Sequence, residues 1–93
     1  MSVEGDSPWR RFFEAWPKDL APRGVLVTKF QEQIPFEGFL ASDAMLLVER
    51  KTPDTIGARK VLTPFDEIAA IKFVDVVRSK SFEPLGFAGK LKD

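Results

Sequence analysis

The chain contains no cysteine, no histidine and no tyrosine. Without cysteine it forms no disulfide and no thiolate metal centre. Without histidine it lacks the commonest general base at neutral pH and the commonest remaining zinc ligand. A serine triad would have no base to work with. An excess of one charge is missing too. Fourteen Lys and Arg balance fourteen Asp and Glu, and the two signs are interspersed, whereas a general nucleic-acid binder carries a basic excess or a basic stripe. No apolar run approaches the length of a membrane span. The opening MSVEGDSPWRRFF sets acidic residues ahead of any apolar stretch, unlike a secretory signal. These absences lead us to expect a cytoplasmic protein that is not an enzyme, with no metal, no cofactor and no membrane contact.

Size adds a constraint. Ninety-three residues make one domain, and a chain this short buries only about 60–70% of the surface its unfolded form exposes. Small domains make up that shortfall with disulfides, metals or subunit contacts. With the first two excluded by composition, we expect a homo-oligomer.

Three segments are expected: a disordered leader at 1–6, a folded domain at 7–77 and a tail at 78–93. Ser7-Pro8 reads as a helix start, with Ser as N-cap and Pro at the first helical position. Trp9, Phe12, Phe13 and Trp16 follow at i, i+3, i+4 and i+7 and share one face; Arg10, Arg11 and Glu14 take the other. Pro17 stops the helix, because its ring pushes Trp16 out of helical geometry. The aromatic face is expected to cover an open end of the domain, with a membrane-docking or partner-docking helix as the alternative.

Five strands are expected next, at 24–30, 34–41, 44–51, 59–64 and 68–77. Turn chemistry separates them at Gln31–Gln33, at Ser42-Asp43, at the Pro53/Asp54/Gly57 loop and at Phe65–Glu67. Gly38 inside the second strand suggests a sharp bend or a close backbone approach. The fifth carries apolar residues at both parities, where a half-solvated strand would alternate cleanly. That implies a cover on both sides, which a neighbouring subunit could supply. The tail, RSKSFEPLGFAGKLKD, reads either as a flexible end or as a strap whose phenylalanines dock in a groove.

Nothing in the pattern assembles catalytic chemistry. Ser79-Lys80 and Asp66-Glu67 are adjacent pairs whose side chains point apart. The run Asp54–Gly57 is too short for a calcium loop. Nine Phe and two Trp mostly occupy strand or helix positions that suit a core.

The order helix, then five short strands with a tight turn between the fourth and fifth, resembles the Sm-like family (Sm, LSm and bacterial Hfq proteins). Gly38, Leu40, Asp43 and the apolar run 45–48 occupy places of the family's first motif, and residues 71–73 those of its second. The resemblance implies a mainly β fold: an N-terminal helix followed by a five-stranded, strongly bent small barrel, Sm-like or SH3-like. It also implies head-to-tail assembly into a ring. Strand four of one copy, with Arg59, Val61 and Thr63, would pair with strand five of the next, with Ile71 and Phe73. RNA contact would fall on Lys72 and Met45. The RNA-reading positions depart from the family, however. The turn after Gly38 is one residue short, and Leu46 stands where a polar Asn often reads a base. Phe73 replaces the second motif's glycine. Asp66-Glu67 stand about where Hfq has a Lys-His pair, and they would repel phosphate. The expectation is therefore a non-catalytic oligomeric interaction module, protein-binding or scaffolding, with RNA binding as the alternative.

Overall fold

The computed structural model describes residues 7–92; the expected leader at 1–6 lies outside them. Helix α1 spans Pro8–Glu14. Ser7 is its N-cap, and its hydroxyl accepts from the Trp9 N–H at 3.1 Å. Arg10 and Glu14 pair across one turn at 3.2 Å on the polar side. The helix ends three residues before Pro17, and Trp16 then turns its indole N–H onto the Leu20 carbonyl at 3.0 Å.

Strands β1 (Arg23–Thr28), β2 (Gln33–Ala41), β3 (Met45–Arg50), β4 (Lys60–Pro64) and β5 (Ile68–Lys72) form one sheet in the order β4-β3-β2-β1-β5. Every pairing is antiparallel. The β1–β2 turn is closed by Thr28, whose N–H donates to the Glu32 carbonyl at 3.0 Å and whose hydroxyl accepts from the Glu32 N–H. Ser42 closes the β2–β3 turn by bonding Met45. Asp54 organises the β3–β4 loop: its carboxylate accepts from the Ile56 and Ala58 N–H groups at 3.0 and 2.8 Å. The Ala58 bond is the largest reason its carboxyl titrates below the ordinary range.

Bends come from two irregularities. The β2–β3 register shifts between Phe36 and Phe39, where Gly38 adopts φ +131°. That conformation is costly for any residue with a Cβ, so the glycine expected to mark a bend does so. The β1–β5 register shifts between Val27 and Thr28, which pair with Ala70 and Ile68 and leave Ala69 as the extra residue. Ile68 thus lies opposite Thr28, and Ile71 opposite Leu26, on the same face. The bulge accounts for apolar residues at both parities of β5 without a second covering layer.

The core is the inward face of the sheet closed by α1. Leu26, Ile34, Phe36, Leu46, Val48 and Ile68 come from strands, Phe13 from the helix and Phe65 from the 3-10 turn (Phe65–Glu67) between β4 and β5. The sheet is not closed into a barrel: β4 and β5 stand at opposite edges. Helix side chains and Phe65 fill the concave face, so the core needs no closing ladder of hydrogen bonds.

β5 is shorter than expected, ending at Lys72 rather than residue 77. The next β1 residue on the β5 side is Arg23, and its N–H is already taken by the Ala21 carbonyl at 2.8 Å. Gly24 itself permits the final approach, since a Cβ there would lie 2.7 Å from the Lys72 carbonyl oxygen. The tail is folded: a 3-10 helix spans Ser79–Leu85 and ends on Gly86 in the left-handed region. No described helix is long and apolar enough to cross a membrane.

Candidate functional site

Two features stand out. The first is the pair of sheet edges. The Arg50 N–H donates to the Arg59 carbonyl at 2.7 Å, and the Phe65 N–H to the Ala44 carbonyl at 3.1 Å. Bonded pairs alternate along an antiparallel ladder. Between those two bonds, Val61 and Thr63 therefore bond to β3, and the backbone groups of Lys60 and Leu62 point to the open edge. At the other side, Thr28 bonds Glu32 while the Lys29 N–H donates to the Glu67 carbonyl at 2.8 Å. Even-numbered β1 residues thus bond β2, and odd-numbered ones bond β5. Lys72 and Ala70 are taken by Val25 and Val27, which leaves the Ile71 N–H and C=O on the outer edge. Each end of the sheet presents unpaired strand backbone.

Side chains at the edges divide by face. Val61 and Thr63 turn inward, Thr63 buried and Val61 packed against the core. Ile71 also turns inward, and Arg59 precedes β4 with its carbonyl bonded to Arg50. Phe73 lies past the end of β5, its ring 5.7 Å from Trp16 and 5.6 Å from Phe82. Of the residues expected at a subunit contact, Val61, Thr63, Ile71 and Phe73 therefore point into their own subunit. What an incoming strand would meet is backbone and outward side chains, which sequence reasoning missed. Chief among these is Leu62, 60% exposed. It lies in register with Leu47, which lies in register with Leu40, itself 70% exposed. This cross-strand row of leucines runs to the β4 edge. The run LLVE and the spacing of KVLTP were the available signal, but only the register aligns the three. Exposed valines at 74 and 76 lie beyond the other edge strand.

Lys72 and Met45 are not brought together. Met45 begins β3, next to the β4 edge, whereas Lys72 ends β5, with β2 and β1 between them. Asp66 is exposed in the 3-10 turn, and the Glu67 carbonyl is engaged by Lys29. Among the described residues, no group of three or more acidic side chains is placed to hold a metal ion.

The second feature is a groove of about 800 Å³ between α1 and the tail, walled by Trp9, Phe12, Ile71, Phe73, Phe82 and Phe87. Phe12 links its two sides. Its ring is 5.2 Å from Trp16 on the core side and stacks parallel to Phe82 at 6.4 Å on the tail side. The tail is also tied to the body by polar contacts. Arg23 holds Asp75 through two hydrogen bonds, of 2.9 and 3.1 Å. The Ser81 hydroxyl donates to Asp19 at 2.7 Å. The hydrogen bond from Arg23 keeps the Asp75 carboxyl below the usual carboxylate range, against a smaller opposing effect of desolvation. Compared with protein-family models, curated proteins and solved structures, the chain matches none.

Proposed function

We propose that the chain is a non-catalytic, self-assembling interaction module of the Sm-like kind with an open sheet, in which β4 of one copy adds to β5 of the next. The observation that carries this reading is that the two open edges of the sheet are these two strands, each with backbone groups aimed outward. A strand edge with free N–H and C=O groups recruits another strand, and a contact between two different edges is head-to-tail, so it closes into a ring when the rotation allows. The Sm-like resemblance supplies the same pairing. The leucine row Leu40–Leu47–Leu62 reaches the β4 edge and would be partly covered by the arriving strand.

The alternation along β4 also selects the test. Val61→Pro would break a bond inside the subunit, whereas Leu62→Pro removes an N–H that only a neighbour could use. Proline is tolerated at such edge positions. Leu62→Pro should keep the circular dichroism spectrum of the native chain and lose the assembly by light scattering. An assembly undiminished in Leu62→Pro would refute the β4 contact.

A further inference from the structure

We propose that residues 74–91 are a strap that opens and closes over the aromatic face formed by α1 and Phe73 while the sheet stays folded. The inference concerns the tail and does not depend on how copies assemble.

Its basis is the way the segment is held. After Lys72 no ladder joins it to the sheet. The backbone bonds of its 3-10 helix are internal: the Ser81 N–H donates to Arg78 and the Gly86 N–H to Glu83, both at 3.0 Å. That helix contains Pro84 and has no buried residue. Among the described residues, the contacts that tie the strap to the body include the Arg23–Asp75 ion pair, the Ser81–Asp19 hydrogen bond and the Phe82 ring on Phe12 and Phe73, and Ser79 is engaged as well. The two polar contacts are of the exposed kind that contributes little. The sheet, by contrast, is sealed by Leu26, Ile34, Phe36 and Phe13, each almost wholly buried. Segments with few buried contacts and exposed hydrogen bonds open well below the free energy of global unfolding.

The strap covers something that stays organised without it. Phe12 is backed by Phe13 and Trp16, and Trp16 by Phe36 and Phe39. Lifting Phe82 leaves that wall in place and uncovers Trp9, Phe12 and Phe73. The space between strap and helix, about 800 Å³, widens as the strap lifts.

The test is native-state hydrogen exchange on the full chain. The Ser81 and Gly86 amides should exchange together, at least about tenfold faster than those of Leu26 and Ile34 in the sheet. Asp19→Ala should speed the two strap amides several-fold and leave the sheet amides unchanged, while Asp19→Asn, which retains an acceptor, should do so less. Phe82→Ala should increase the fluorescence of added anilinonaphthalene sulfonate at unchanged far-ultraviolet circular dichroism. Strap amides exchanging at the rate of the sheet would overturn the proposal, because the tail would then be part of the cooperative core. Strap amides without protection in the native chain, indifferent to Asp19→Ala, would overturn it from the other side.

Discussion

Truncating Phe13 to alanine probes the joint between helix and sheet. Phe13 is 2% exposed, although it comes from a helix of only seven residues. Its ring meets Phe39 edge-on at 4.8 Å, stacks on Trp16 at 5.4 Å and lies 6.2 Å from Phe65. Phe13→Ala removes the only fully buried side chain of α1 and leaves a void that Phe39 and Phe65 cannot both close, since each is anchored by its own backbone element. Enclosed Phe→Ala changes cost about 3–5 kcal/mol. A domain of this size has a total stability of order 5–15 kcal/mol, so the variant should be near its folding limit. Urea unfolding followed by tryptophan fluorescence measures this directly. The midpoint should fall by a large fraction at a nearly unchanged slope, since the surface exposed on unfolding changes little. A loss below about 1 kcal/mol would refute the reasoning, because it would mean α1 rests on the sheet as a loose cover and the core is complete without it.

Gly38→Ala should destabilise by roughly 1–3 kcal/mol through backbone strain alone, since φ is +131° and no atom lies within 4 Å of the new Cβ; chemical denaturation checks this, and an unchanged midpoint would show that the bend relaxes freely. The Arg23–Asp75 pair should make the strap acid-sensitive. Asp75 has its folded pKa lowered, chiefly by the hydrogen bond from Arg23. Its contribution is therefore present above the unfolded pKa and lost as pH falls through the folded one. Exchange of the Ser81 amide, corrected for intrinsic pH dependence, should rise across that acid range in the native chain, and Asp75→Asn should remove that part of the rise.

Much of the fold was legible because it rests on local chemistry. Ser7-Pro8, the i, i+3, i+4, i+7 aromatics and Pro17 define α1 without tertiary information. The turns at Ser42 and Asp54 declare themselves by side chains that bond their own backbone. The glycine at 38 marks the bend because other residues avoid that geometry. What was not legible concerns quantities set by partners. β5 stops at Lys72 because the next β1 donor on that side, the Arg23 N–H, is taken by the Ala21 carbonyl, several dozen residues away in sequence. Its two apolar parities reflect a bulge opposite Val27 and Thr28, which a single-strand pattern cannot distinguish from double coverage. The expected interface residues Val61 and Thr63 face inward because register assigns them to Val48 and Leu46. The leucine row is invisible in sequence, since residues 40, 47 and 62 align only across three strands. The tail composition, with two Ser, two Gly and one Pro, does not separate a free end from a docked one. The tail's partners, Asp19, Arg23 and Phe12, are remote in sequence.

Assembly through the sheet edges is the claim on which the functional reading stands, and native mass spectrometry of the unmodified chain at micromolar concentration tests it most directly. A closed set of identical copies should dominate, with a single subunit number that persists on dilution until the whole ring dissociates. A monomer at that concentration, with the circular dichroism of a folded sheet, would contradict the claim and leave both edges stable in water without a neighbour.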